Sequence, residues 1–425
     1  MSVAHPRPRF TPSRRQLLAM STAMLWVPRL ARAGSGNDRK FMFVFAQGGW
    51  DQTRLFAPLF DSKVVDMEDD AVEAEVGGVR FVDSPERPSV RAFFEQYASR
   101  SCFLNGFESR SVAHDVCLRL VTTGTSLPTA DDWASLIGAA TGADLLLPVI
   151  NLSGPSYTYD YGSAVVRVGT ANQLPELIDG SALTRADREL AAASADVQAM
   201  EDAWVQASAS RRAAAAGRGR ASAIMARAVD AQARMETVAE VSQNLDFGSA
   251  TTLSDGMNLL ATAFSAGLAR CGMVRHVGWQ GLGWDSHADI PQQSRSFEEL
   301  FAALQRTCDT MATMPGTSAD SLADETTIVV MSEMGRYPQL NSRGGKEHWT
   351  FTSCMLVGAG VKGGQVIGGY DENSGGQKVD LASGDVTDSG VALVPNHVGA
   401  TLLALADVDP GTFIVDGEPI TAALS

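Results

Sequence analysis

Five histidines follow residue 33: His114, His276, His287, His348 and His397. Two of them stand in segments crowded with other donors. Gly283-Trp284-Asp285-Ser286-His287 sets an acid and an imidazole two residues apart, and on an extended segment side chains at i and i+2 share a face. Gly344-Gly345-Lys346-Glu347-His348-Trp349 adds a second imidazole beside a cation, an acid and an indole. Carboxylate oxygen and imidazole nitrogen are donors that suit Zn, Mn, Mg or Ca in different mixtures. One or two divalent ions so held would polarise an ester and clamp its attacking and leaving oxygens. The competing expectation makes the same imidazoles ordinary structural hydrogen-bonding groups, with Asp51 capping a turn and Glu333 paired to Arg336.

Two buried strands must carry the remaining acids. Phe41-Met42-Phe43-Val44-Phe45-Ala46 is apolar without alternation and closes on Gln47-Gly48-Gly49-Trp50-Asp51, which fits a strand covered on both faces and ending in a glycine turn. Thr326 to Met331 repeats the pattern and ends in Ser332-Glu333-Met334-Gly335-Arg336. Asp51 and Glu333 then sit at the carboxyl edge of a parallel sheet, where open α/β folds bind ligands. The C-terminal third alternates likewise, with a helix expected from about 294 to 314 and another from about 395 to 405. The glycine-rich run 358–364 lacks a nucleotide-loop pattern and reads as tight turns beside the sheet. His276 is expected in or beside a strand, and His397 in a capping role.

Between about 185 and 241 the chain is rich in Ala, Arg, Glu and Met and free of proline. Val197, Met200, Trp204 and Ala207 recur at helical spacing, as do Ile224, Ala228, Ala231, Met235 and Val238. Gly217-Arg218-Gly219 divides them, so a helical hairpin is expected, inserted at about 185–245. It should pack on the sheet or cap the site with its Met and Trp stripe as core.

Ser13-Arg14-Arg15-Gln16-Leu17-Leu18, the apolar stretch to Val27 and Ala31-Arg32-Ala33 read as a twin-arginine export signal over residues 1–33. The stretch is well short of the roughly 20 residues that span a bilayer. The expected location is periplasmic or secreted, with the export machinery as a partner and no membrane span after cleavage. Those 33 residues hold six arginines and no acid, so removing them leaves 28 basic residues against 49 acidic ones. Such a surface repels phosphate backbones and excludes nucleic acid. The five cysteines are scattered, with Cys102 and Cys117 the closest pair for a disulfide.

The leader, Gly48-Gly49-Trp50-Asp51, the segment around His114, Gly283 to His287, Ser332 to Arg336, Asn341 to Trp349, Gly358 to Gly364 and the late helix with Thr401-Leu402-Leu403 together resemble the exported bacterial family called domain of unknown function 1501. That family is similar to the alkaline phosphatase and sulfatase superfamily. The resemblance implies an α/β fold, a mostly parallel central sheet flanked by helices, over residues 34–425, with a metal site at the strand ends. It implies Asp51, Asp285, His287, Glu333 and His348 as metal ligands. His114 falls where such hydrolases carry a hydroxyl or modified-cysteine nucleophile, ten residues before Gly124, with Thr53 and Ser111 the nearest hydroxyl substitutes. Arg336 and Lys346, with His114, are the catalytic candidates, and Trp50, Asn341 and Trp349 the substrate-binding ones. The expected function is metal-dependent hydrolysis of a phosphate or sulfate ester on envelope or carbohydrate material. The alternative is a binding or assembly protein that keeps the fold and catalyses nothing.

Overall fold

The computed structural model describes residues 38–140, 145–169, 174, 194–242 and 250–425, with the side chains of 195, 198 and 235–242 outside that description. The export signal at 1–33 and the outer parts of the insertion lie outside the described residues. Twelve strands occur among those described: β1 (Lys40–Ala46), β2 (Val72–Val76), β3 (Val79–Asp83), β4 (Ser101–Glu108), β5 (Val149–Asn151), β6 (Val165–Arg167), β7 (Cys271–His276), β8 (Thr326–Met331), β9 (Gly335–Arg336), β10 (His348–Trp349), β11 (Phe351–Gly358) and β12 (Gln365–Gly368). Eight form one sheet in the order β12-β4-β11-β8-β1-β7-β5-β6. All run in one direction except β11, which is antiparallel to both neighbours. β2 and β3 pair as a hairpin, and β9 pairs with β10.

β1 is buried along its whole length because both faces of the sheet are covered. Its even residues, Met42, Val44 and Ala46, enter one core, and Phe41, Phe43 and Phe45 enter the other. Helices α1 (Pro88–Tyr97), α2 (His114–Thr123), α3 (Trp133–Ala139), α4 (Ala195–Ala215), α5 (Arg220–Ser242), α6 (Leu253–Ser265), α7 (Gln292–Thr313) and α8 (Pro395–Leu405) complete the regular structure. The first core is closed by α1, α6 and α7, and the second by α2, α3 and α8, which makes three layers with the sheet in the middle. The α/β expectation holds, and the late helices fall at the positions expected in the alternating C-terminal third. His276 ends β7, and His397 accepts the Val394 N–H at 3.1 Å at the start of α8.

Register fixes the edge at which function can sit. Ala46 stands opposite His276, and Phe45 opposite Met331, so β1, β7 and β8 end level with one another. β4 ends at the same edge and leads to α2, while antiparallel β11 begins there and is preceded by β10.

The hairpin forms, but its expected packing is corrected. Helix α5 meets the body at the turn Gly162–Ala164 beside edge strand β6, where Arg220 lies over the Tyr159 ring and Arg227 over Tyr161. Helix α4 packs on α5, and its apolar stripe faces water: Met200 is 72% and Trp204 65% exposed. Met235 and Val238 lie outside the described side chains. A periodic pattern identifies an apolar face without saying what covers it. All five cysteines are buried free thiols, and Cys117 meets the Ser109 hydroxyl.

Candidate metal centre

Four side chains converge at the carboxyl edge of the sheet. His114 opens α2 after β4; Asp285 and His287 follow β7; His348 lies in β10, just ahead of β11. His114, Asp285 and His348 bring ligand atoms within 4.8 Å of one another. His287 joins them, its Nε2 3.0 Å from His348 Nε2 and 3.1 Å from Asp285 Oδ1. His348 Nε2 is 3.3 Å from the same oxygen, and His114 Nε2 is 3.5 Å from Asp285 Oδ2. The Asp-x-His triplet thus does turn both side chains to one side, though in a loop rather than a strand.

The opposite edges of the rings fix their tautomers. His348 Nδ1–H donates to the Val112 carbonyl at 2.7 Å, and His114 Nδ1–H to Glu333 Oε1 at 2.8 Å. His287 Nδ1 lies 2.7 Å from Glu347 Oε2, close but off the donor line. An imidazole that gives its Nδ1–H to an oxygen presents a lone pair at Nε2, the arrangement by which metal-bound histidines are held. Two such edges, with His287 Nε2 beside them, meet one carboxylate, and that set suits a divalent ion. In a tetrahedral sphere with bonds of 2.0–2.1 Å, neighbouring donors lie about 3.3 Å apart, close to the spacing found here. His114 Nε2 is moreover a buried nitrogen with no aligned hydrogen-bond partner.

Electrostatics keep the acid ionised. Burial opposes charge on Asp285, but the His114 imidazole 3.5 Å away, and the hydrogen bond and charge of Arg336, hold it well below the usual carboxylate range. The Asp285 and Glu333 carboxylates push His114 up to about 9 against its burial. Burial, then the charge of Arg336, lower His348. Glu333 is fully buried and receives the Gly48 N–H at 2.8 Å as well as His114, so it acts from behind the cluster and does not pair with Arg336.

The remaining sequence candidates have other duties. Asp51 is fully buried, ion-paired to Lys346 Nζ at 2.9 Å and capping Thr53. Burial raises its pKa, and Lys346 and then Arg54 more than reverse this. Lys346 also donates to Thr53 Oγ1 at 2.9 Å, so ammonium and hydroxyl are both buried and engaged. Arg336 is fully buried, its nitrogens bonded to the carbonyls of Gly48, Gly49, Trp284 and Lys346 and to Asp285. The expectation that Arg336 and Lys346 face a ligand is therefore corrected: both bind the loops that carry the cluster. Asn341 holds the His287 carbonyl at 2.9 Å and Glu347 at 2.6 Å, and Trp50 is a core residue stacked on Phe297. Trp349, half-buried beside His348 and edge-on to Tyr337, is the indole left near the opening. Glu347 and the Val112 carbonyl were not singled out from sequence. Glu347 had a signal, an acid directly before a candidate ligand; a backbone carbonyl has none.

A family model described as a protein of unknown function (DUF1501) matches residues 38–388. No curated protein sequence matches the chain. Among solved structures the chain is similar to the lipoteichoic acid synthase LtaP from Listeria monocytogenes, at 7% identity and a TM-score of 0.38, over 92% of this chain and 77% of that one. It is also similar to an alkaline phosphatase from the Antarctic bacterium TAB5, at 10% identity and a TM-score of 0.32, over 79% and 95%. BT4656, solved with its substrate D-glucosamine-2-N,6-O-disulfate, is similar at 9% identity and a TM-score of 0.33, over 90% and 81%. Among the described residues no helix is long and apolar enough to cross a membrane. With the match running through β1, the His114 segment and both histidine-bearing loops, the chain belongs to the DUF1501 family.

Proposed function

We propose that this chain is an exported, metal-dependent hydrolase with a single-ion centre made by His114, Asp285, His287 and His348. The observation that carries the reading is the set of Nε2 edges turned toward Asp285, with Nδ1 facing Val112, Glu333 and Glu347. When bound, a divalent ion supplies a Lewis acid and lowers the pKa of water toward neutrality. The protein's own part is to fix the donors. Glu333 and Glu347 set ring orientation, and Arg336 pins Asp285 to the β1 turn. Solvent reaches the cluster, since the Asp285 side chain is 45% exposed.

Metal-assisted water attack fits better than a side-chain nucleophile. His114 stands where a hydroxyl would be expected, and Thr53 is buried against Asp51 and Lys346. The family resemblance favours phosphate or sulfate esters as substrates. Arg336 and Lys346 are turned inward, so no cationic clamp from these two residues reaches an ester oxyanion. That last observation also supports a second reading, a metal-holding binding protein without turnover.

Elemental analysis of protein purified without added metal, beside Asp285→Ala, tests the proposal. One tightly held ion per chain, lost in the variant, is the expected result. No ion in either, and no thermal shift on adding Zn, Mn or Ca, would sink it. A bound ion with no turnover across phosphate and sulfate esters would leave the binding-protein reading standing.

A further inference from the structure

Between the turn Gln52–Arg54 and β2, residues 58–70 cross the surface as a loop in which Val65 alone is buried. Asp66-Met67-Glu68-Asp69-Asp70 puts four acids into this loop, and Glu68 is the only one of the four that is not exposed. Its carboxylate ends in a pocket built by other elements. Arg54 Nη1 donates to Glu68 Oε1 at 2.7 Å, and Arg87 Nη1, just ahead of α1, donates to Oε2 at 2.5 Å. The Ser294 hydroxyl, in the first turn of α7, donates to Oε1 at 2.8 Å. Arg87 is fully buried and Arg54 only 7% exposed.

A single carboxylate underfills this pocket. Asp51 lies 3.9 Å from Arg54 but is neutralised by Lys346, and Asp83, beside Arg87, is paired to Arg91 at 2.7 Å. Two guanidiniums therefore share one negative charge, and among the described residues the Nε of each is buried without a hydrogen-bond partner. A tetrahedral dianion would balance both charges and has oxygens to spare for the Nε donors, and guanidinium recognises such oxyanions as readily as carboxylates. We propose that Arg54, Arg87 and Ser294 form a binding site for a free tetrahedral dianion, sulfate or phosphate, which Glu68 fills when the ion is absent. The loop can give way to it. Beyond Glu68 and Val65 it is tied by the Ser62 hydroxyl to the Glu372 carbonyl and by Asp66 to the backbone of Pro338 and Leu340, the sparse anchoring of a segment that opens locally. Buried walls suit a compact ion over an ester carrying a bulky group.

Limited trypsin digestion of the full chain reads the loop directly, because Lys63 is its only basic residue and is exposed. Sulfate or phosphate should raise cleavage after Lys63 in a saturable way by at least about threefold, since cleavage tracks the open population. Chloride at equal ionic strength should not, and cleavage after exposed Arg218 in the hairpin turn should stay constant. The effect should persist in Asp285→Ala, which separates this pocket from the metal centre. Glu68→Ala should melt below wild type, and sulfate should restore the loss in a saturable way, whereas Glu68→Ala/Arg87→Met should not respond. If Glu68→Ala does not fold, cleavage of the wild-type chain decides. Unchanged cleavage after Lys63, an effect lost in Asp285→Ala, a folded Glu68→Ala indifferent to sulfate, or a response kept without Arg87 would overturn the proposal. Phenyl phosphate acting as well as the inorganic ions would overturn the assignment to a free ion.

Discussion

The donors differ in how they are held, and this orders the variants. Asp285 meets all three imidazoles and is anchored by Arg336 at 2.6 Å, so Asp285→Ala should abolish binding of the ion. Glu347 only orients His287, and an orienting carboxylate of this kind typically contributes about 10–100-fold in affinity. Glu347→Gln should therefore weaken binding in a competitive chelator titration without abolishing it; unchanged affinity would remove Glu347 from the site. A histidine outside the cluster sets a pH response. Burial lowers His276 to about 4 from an ordinary 6.5. The unfolded chain then takes up a proton that the folded chain refuses between these values. Stability is full above pH 6.5 and falls as pH drops toward 4, by about 3 kcal/mol in total. Urea midpoints from pH 7.5 to 4.5 should show this slope flattened in His276→Gln, and an equal slope in both proteins would refute the assignment.

Elements bring the donors together by close backbone approach. Gly48, at φ +128°, lies where a Cβ would sit 2.7 Å from the Asp285 nitrogen, so the β1 turn packs directly on the ligand loop. A Cβ on Gly345 would meet the His287 carbonyl carbon at 2.1 Å. Gly345→Ala must push the His287 loop away from β10, and the expected outcome is at least about tenfold loss of metal affinity, by analogy with lost orienting contacts. Affinity as in wild type would show that the loop can yield without moving its ligands. The Asp51–Lys346 pair ties the β1 turn to the chain leading into β10. Losing one partner of a buried pair costs about 3–5 kcal/mol, so Lys346→Met should lower the denaturation midpoint while the metal count stays at one. If Asp51→Asn instead strips the ion, Asp51 is a ligand as the resemblance implied.

Across the whole molecule, what could be read in the sequence was what local pattern encodes. β1 and β8 announced themselves by buried apolar runs, and α7 and α8 by the alternation of strand and helix in the C-terminal third. The site emerged in outline because His287 and His348 sit in dense segments. The inward duty of Arg336 was hidden, because its partner Asp285 lies 51 residues away and strand order alone brings them together. The thiols illustrate the same limit: sequence spacing left the pairing of Cys102 and Cys117 open, while the fold buries one in β4 and the other in α2 without joining them. Burial pushes Cys102, Cys271 and Cys308 up to about 12 and raises Cys117 and Cys354 as well. Thiolate is the reactive form, so a folded chain with these pKa values is shielded twice, by access and by protonation. In an oxidising compartment it should persist without disulfides. Ellman's reagent should find no reactive thiol in the native protein and five in guanidinium, and reductant should leave the melting temperature unchanged. Three thiols in the unreduced, unfolded protein would reveal a bridge and show that oxidation reached the chain before the sheet closed over its cysteines.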